Sequence, residues 1–390
     1  MAYKALILLP LIACLLTWCV FPFTVWIAKR YNIVDNPDAR KLQKEPIPVL
    51  GGAAVAIGIF IPLIIAAVVF HVPMLIIELV IMVMLLFIGI TDDIYGLPAW
   101  FRFMVELIFM WFFVWNTQLL LNDFQGLWDM KDLSMYVSLP LSLIAGVGII
   151  NAINLIDGVD GYSSGYGIFA NLLFAVIFFM VGDTTRGLFS AICVASLLPF
   201  LLHNVFGKKS KMFIGDGGSL LIGFILVCNV FALFSTYSHS GQVICEHGVG
   251  VVAMALAILC IPVFDTLRVM FNRMLHGISP FTPDKTHLHH LYIDMHFSHV
   301  GTSMSIIGTN MLIVLIWWLS YKCGASINLQ FYIVVALGIL ATFVYYPVMR
   351  ICQKRNNRLW QFMLRMGQKT HYEEKGIWLT LQQIVDYGIF

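Results

Sequence analysis

Carboxylates are scarce in this chain, 21 among 390 residues, and they gather in a few short stretches. Asp92 and Asp93 are adjacent in TDDIYGLPAW. Asn151, Asn154, Asp157 and Asp160 fall together in NAINLIDGVDG, and Asp216 lies within KMFIGDGGS. The spacing from Asp157 to Asp160 places both on one face of a continuing helix, while Gly158 and Gly161 permit a break there. Acidic residues are common at helix ends, so Asp92 and Asp93 also read as an ordinary loop start. Asp216 stands where an apolar helix begins, and the free N–H groups and dipole of that end favour an anion. Glycines beside it would let a phosphate approach the backbone. A carboxylate there repels such a phosphate unless a divalent cation stands between them. Hard oxygen ligands next to a pyrophosphate imply Mg²⁺. The simpler alternative is Asp216 as a plain N-cap.

His287, His289 and His290 form an H-x-H-H cluster in SPFTPDKTHLHH. Zinc binding is one reading. No cysteine lies nearby, however, and Arg273 and Lys285 in the loop 272–291 repel a metal and attract an anion. Anion binding is therefore favoured.

The elements that must position these residues are legible in the hydropathy. With 60% hydrophobic and 11% charged residues, the chain cannot hide its apolar surface as a soluble protein. Runs of about 20 apolar residues match the hydrocarbon thickness of a bilayer. The expectation is an all-α, polytopic integral membrane protein with about eleven transmembrane helices. Their approximate bounds are 5–28, 48–70, 74–91, 101–121, 136–156, 164–182, 187–206, 217–238, 250–271, 302–321 and 329–349. Lys and Arg are retained on the cytoplasmic side. An outside N-terminus leaves only Lys4, Lys131, Arg186 and Lys322 of the 23 basic residues in outer segments. The C-terminus is then cytoplasmic, consistent with its Lys354, Arg355, Arg358, Arg365, Lys369 and Lys375. The first span is too long for the apolar region of a signal peptide, and its basic residues follow it. The expected organisation is one transmembrane domain, 1–350, with cytoplasmic active-site loops, and a cytoplasmic tail, 351–390.

The eight cysteines show no metal-type spacing. Only Cys245 and Cys323 lie in expected outer loops, and a disulfide between them is not favoured. No nucleic-acid partner is expected. On this topology five loops face the cytoplasm, four of them carry an acidic or histidine cluster, and the outer loops are bland by comparison. Intramembrane ionisable groups are suspected of function by default. A transporter would cluster its polar residues near the midplane, whereas these gather at one face. A CDP-alcohol phosphatidyltransferase would use aspartates and glycines at a fixed spacing, of which DGVDG is only a fragment.

Taken in order, DD, NAINLIDGVDG, KMFIGDGGS and SPFTPDKTHLHH resemble the polyprenyl-phosphate N-acetylhexosamine-1-phosphate transferase family, in its WecA-like branch. The resemblance covers spans one to ten and implies eleven spans with a cytoplasmic active site in a bacterial inner membrane. It implies transfer of N-acetylglucosamine 1-phosphate from UDP-N-acetylglucosamine to undecaprenyl phosphate, with release of UMP. That reaction initiates lipid-linked cell-surface polysaccharide synthesis. Another UDP-N-acetylhexosamine is the nearest alternative donor, and a homodimer is compatible with the family. By resemblance Asp216 and Asn154 hold Mg²⁺, for which Mn²⁺ substitutes. Phe213 stacks on uracil and Asp160 hydrogen-bonds the base. Asp157 sits between nucleotide and phosphates. Asn204, Lys211, Arg273, His287, His289 and His290 bind substrate. Asp92 and Asp93 occupy the position of the proposed base, although a phosphate monoester is largely ionised at neutral pH without help. Direct displacement is preferred to a covalent aspartyl-phosphate. The chain departs from the family at Gln43, where His is frequent, and at Gly96, where a further acidic residue is common.

Overall fold

The computed structural model describes all residues except 1, 37–44, 73–74, 131–132, 236–238, 283, 373–375 and 388–390. Gln43, Lys131 and Lys375 lie outside the described residues. Apart from a two-stranded antiparallel ribbon, β1 (Val34–Asp35) with β2 (Ile47–Pro48), the described regular structure is helical. The helices begin with α1 (Ala2–Arg30), α2 (Gly51–Phe70), α3 (Ile76–Tyr95), α4 (Ala99–Thr117) and α5 (Met135–Leu155). Next come α6 (Tyr162–Met180), α7 (Thr184–Phe206), α8 (Gly215–Phe234), α9 (His239–Glu246), α10 (Val251–Ile258) and α11 (Cys260–Leu275). The chain continues through α12 (Leu288–Asp294), α13 (His299–Lys322), α14 (Ile327–Ile339), α15 (Tyr345–Arg355), α16 (Arg358–Gln368) and α17 (Gly376–Asp386). A π-helical turn, Leu340–Val344, joins α14 to α15.

Among the described residues nine helices are long and apolar enough to cross a membrane, or ten if α9 and α10, bent by 109°, form one span. The chain is thus a multi-pass membrane protein. Two of the eleven expected spans are not of this kind, for identifiable reasons. The third is present as α3, which carries Glu78, Asp92 and Asp93. The ninth, 250–271, is interrupted at Leu259, where α10 gives way to α11. An interrupted helix needs substitute partners for its freed backbone groups. Asn310 of α13 supplies them, donating to the carbonyls of Ala257 (3.1 Å) and Ile258 (3.0 Å) and accepting from the Ile261 N–H (2.8 Å).

The chain divides into two compact units. The first comprises Met1–Leu119, Ser142–Phe231 and Lys375–Phe390, and the second Leu120–Leu141 and Ala232–Glu374. In the first, α8 is buried along its apolar run, as a helix that is apolar all round should be. Its opening glycines are packing devices. A Cβ on Gly52 of α2 would lie 2.4 Å from the Gly218 nitrogen, and one on Gly89 of α3 would lie 2.2 Å from the Gly217 nitrogen. Small residues let membrane helices approach this closely where apolar side chains gain nothing by leaving lipid. The expectation that Gly217 and Gly218 open the backbone to a phosphate is corrected accordingly: α2 and α3 already occupy that approach. At the other end of α3, Glu78 forms a buried bidentate pair with Arg186 of α7, at 2.7 and 2.9 Å. All eight cysteines are free, so Cys245 and Cys323 are not bridged.

Candidate active site

In the first unit, three segments distant in sequence bring their polar residues to the opening turn of α8. The last turn of α3 supplies Asp92 and Asp93 and stops at Gly96, whose φ of +67° is one that glycine adopts without strain. The departure from an acidic residue at that position thus has a backbone reason. Asp93 accepts the Asp216 N–H through both oxygens, at 3.0 and 3.1 Å. The anion-binding helix terminus expected at α8 is therefore engaged by a carboxylate of the chain itself. Asp92 accepts from the Leu97 N–H at 2.6 Å and from Arg102 at 2.5 Å.

Arg102 and Glu106, on α4, are site residues missing from the sequence expectations. The Arg102 guanidinium reaches Asp216 at 3.2 Å as well as Asp92, and its Nε is 3.9 Å from Glu106. Glu106 is buried and accepts from the Asn151 amide. Ionisable residues inside the apolar run WFRFMVELIFMWFF were the available signal. From α5, Asn154 donates to Asp216 (2.8 Å) and to the Ser219 hydroxyl (2.9 Å). Asp92, Asp93, Asn154 and Asp216 are thus brought together as expected, around a guanidinium that was not.

The loop between α5 and α6 separates its two carboxylates. Asp157 accepts from the Ser163 hydroxyl at 2.5 Å. Burial pushes its carboxyl up to about 7, with Asp216 and Asp160 adding to the rise and Ser163 opposing it. Asp160 instead pairs with Lys211 at 2.6 Å. Asn204, near the end of α7, ties this loop to the next one by accepting from the Gly161 N–H (2.7 Å) and donating to the Met212 carbonyl (3.0 Å). Its amide is engaged by backbone, so its observed work is to position loops. Phe213 is held by its backbone, donating to Pro48 and accepting from Gly51, with its ring half-buried. The loop ahead of Lys211 is fastened by a residue no motif signals. Asp386 of α17 accepts from the N–H groups of Lys208, Lys209 and Ser210 and from the Ser210 hydroxyl. Burial would raise this carboxyl, but those donors hold it below its ordinary value.

The second unit holds the basic and histidine residues. Arg273, in the last turn of α11, donates to Asp284 at 2.9 Å and to the Pro280 carbonyl at 2.6 Å. Partial burial would raise Asp284, yet Arg273 and the Thr286 donors hold it well below the usual carboxylate range. His287 precedes α12 and directs Nδ1 to Asp265 at 3.0 Å, while its buried Nε2 has no partner among the described residues. Asp265 also accepts from Arg268 at 2.7 Å and from the Leu288 N–H at 3.1 Å. Asp265 and Arg268, in VFDTLRVMF, are again ionisable residues inside an apolar run that sequence reasoning passed over. Burial pushes His289 well below its ordinary value and His290 down to about 4, with the neighbouring positive charges adding to it. His287 and His289 are stacked at 5.8 Å, and His289 and His290 are 4.2 Å apart.

Among the described residues no three His, Cys, Asp or Glu side chains form a closed metal cage. The donors at the opening of α8 are oxygens, and three carboxylates share the Arg102 charge there. Of the three, Asp216 alone has an exposed face, and a single accessible carboxylate beside an amide oxygen fits Mg²⁺, which keeps waters and takes one or two carboxylates together with substrate phosphates. At the histidines, the Asp265 carboxylate on His287 Nδ1 orients the ring and leaves Nε2 as the atom that can meet a ligand.

Residues 75–235 match the family described as Glycosyl transferase family 4. Similar curated proteins are undecaprenyl-phosphate α-N-acetylglucosaminyl 1-phosphate transferases. That of Escherichia coli O157:H7 is 31% identical over 277 residues, covering 70% of this chain and 72% of the relative. The protein of Escherichia coli K12 is 28% identical over 355 residues, covering 90% and 91%. The protein of Yersinia pestis is 27% identical over 354 residues, covering 90% and 92%.

Proposed function

Because the chain belongs to the undecaprenyl-phosphate N-acetylglucosaminyl 1-phosphate transferase family, we propose that it transfers N-acetylglucosamine 1-phosphate from UDP-N-acetylglucosamine to undecaprenyl phosphate. An oxygen of the lipid phosphate forms a bond to the β-phosphorus of the nucleotide sugar. The bond from that phosphorus to the bridging oxygen breaks, its electron pair leaves with UMP, and the sugar phosphate remains on the lipid as a pyrophosphate. Both reactants are anionic, so positioning and charge neutralisation dominate the barrier.

The observation that carries this reading is Asp216, held between Asn154 and Arg102 with Asp93 on its own N–H. Asp216 and Asn154 would hold Mg²⁺. That ion would neutralise the donor pyrophosphate. Arg102 and Asn154 fix the Asp216 carboxylate from two sides. Asp92 is already paired with Arg102, and Asp93 with a backbone N–H, which supports orientation rather than proton removal as their work. Asp157 would sit between nucleotide and phosphates. Phe213 and Asp160 take the uracil, and Lys211 holds Asp160 in place. Arg273, His287, His289 and His290 bind phosphate or sugar oxygens, His287 through the Nε2 that Asp265 leaves available.

The same reading places the chain in a bacterial cytoplasmic membrane, N-terminus outside, with eleven spans and a cytoplasmic active site. The Glu78–Arg186 pair fits its alternation of spans, because it joins the ends of α3 and α7 that this topology puts on one side of the membrane. The test is UMP release by the purified protein. UMP should form only when UDP-N-acetylglucosamine and undecaprenyl phosphate are both present, and excess EDTA should abolish it. Full turnover in EDTA overturns the metal, and no UMP with any UDP-N-acetylhexosamine overturns the reaction.

A further inference from the structure

A second basic site lies in the second unit, on the far side of Arg268 from His287: Arg268 shares Asp265 with that histidine and donates to the Thr286 carbonyl at 2.6 Å. Between α11 and the start of α15 is a cavity of about 370 Å³ whose lining includes Arg268, Arg350, Lys354, Tyr346, Phe271 and Phe343. Its cations are arranged by an aromatic ring. The guanidinium of Arg268 is 3.9 Å from the Tyr346 ring centroid and that of Arg350 is 5.1 Å from it, a cation–π arrangement that holds both groups in place. Each arginine also has one carboxylate, Asp265 for Arg268 and Asp294 for Arg350. Lys354 is exposed and adds a further positive charge. The walls are apolar: Phe271 and Phe343 are 6.4 Å apart. Exposed apolar side chains continue on both sides, Leu267, Phe271 and Leu275 on α11, and Val344, Val348 and Ile351 along the opposite wall. Spacings of three and four residues make each set a stripe.

The chain next to the cavity has the same character. α15 continues the apolar run that begins with α14, and α16 follows it after a turn capped by Asn357. One side of α16 is packed, with Trp360 and Gly367 buried. Leu359, Phe362 and Met366 form an exposed apolar stripe, Phe362 being 55% exposed, beside the exposed Arg358, Arg365 and Lys369. An apolar stripe beside basic residues, directly after a membrane-crossing run, is the pattern of a helix lying in the headgroup layer.

We propose that the cavity between α11 and α15 binds the phosphodiester headgroup of an anionic phospholipid, with α16 lying in the same headgroup layer. Arg350 and Lys354 take the phosphate, and Arg268 sets the ring that orients Arg350. The acyl chains lie along the Leu267–Phe271–Leu275 and Val344–Val348–Ile351 stripes. Charge complementarity selects this occupant over a zwitterionic lipid, since a basic residue near an anionic bilayer surface contributes attraction that a neutral headgroup does not supply.

Native mass spectrometry of the full-length protein in detergent, titrated with phosphatidylglycerol or phosphatidylcholine, tests the proposal. The wild type should bind phosphatidylglycerol about tenfold more tightly than phosphatidylcholine. Lys354→Gln should weaken phosphatidylglycerol about fivefold, and Arg350→Gln with Lys354→Gln by more than tenfold. Lys354→Arg should retain it, and Arg355→Gln, one residue beyond the cavity lining, should change it less than twofold. Equal binding of the two lipids overturns the proposal, as does an equal loss in Arg355→Gln. Stoichiometric displacement of phosphatidylglycerol by undecaprenyl phosphate would also overturn it, because the cavity would then belong to the acceptor.

Discussion

Asp157 and Asp160 are three positions apart and have different partners, a hydroxyl for one and an ammonium for the other. That difference predicts different kinetic consequences. Asp160→Asn keeps an oxygen that accepts a hydrogen bond but loses the Lys211 ion pair, so the KM for the nucleotide sugar should rise. A loss confined to KM marks uniform binding. At Asp157 the formal charge acts near the phosphates, so Asp157→Asn should lower kcat by about tenfold or more with a smaller change in KM. Steady-state kinetics of the two purified variants decide it, and equal losses of kcat would refute the division of roles.

Helix ends and the loops between them carry the chemistry here, and a helix elsewhere in the chain holds one of those loops. Asp386 of α17 fastens residues 208–210, just ahead of Lys211 and Phe213. Losing several hydrogen bonds to a carboxylate should loosen that loop without touching the reacting atoms. Asp386→Ala should therefore raise the KM for UDP-N-acetylglucosamine by about tenfold, leave kcat within about twofold, and speed proteolytic cleavage near residue 208. Unchanged kinetics with faster cleavage would confine α17 to a structural role. The segment from Asp284 to His290 makes a pH-dependent case. His290 is held near 4 in the folded protein against an ordinary value of 6.5. The folded state therefore binds fewer protons between those values. Its contribution is whole above pH 6.5 and is lost as pH falls through about 4. Hydrogen exchange of residues 284–296 should accelerate across that window, and His290→Gln should make the dependence shallower.

Across the first unit, one ion pair reports on how the helices are threaded. Arg186→Gln leaves Glu78 buried without its partner and should destabilise the protein by roughly 3 to 5 kcal/mol, measured by chemical unfolding in detergent. Replacing both residues by leucine should restore most of that loss, since a buried ion pair is often replaceable by apolar side chains. The topology of the whole chain has its own test. A cysteine at Lys285 should be shielded from impermeant thiol reagents in intact cells, and one at Lys131 should be labelled. The reverse pattern would invert the proposed placement of the active site.

Membrane residence and the approximate bounds of most helices were legible in the amino-acid sequence, because hydropathy is a property of some 20 consecutive residues and the bilayer reads it locally. The motif residues were legible too, since Asp92, Asp93, Asn154, Asp157, Asp160 and Asp216 announce themselves as polar groups at the ends of apolar runs. Their partners were not. Arg102 meets Asp216 across 114 residues and Asp93 meets the Asp216 N–H across 123, and no local pattern encodes a contact at that separation. Gly217 and Gly218 show the same limit. Their sequence setting suits a phosphate cradle, but close packing of α2 and α3 on α8 uses them instead. The interruption at Leu259 likewise depends on Asn310, some fifty residues later. In each case the free energy of a polar or small residue is set by what surrounds it in space, and only the folded chain supplies those surroundings.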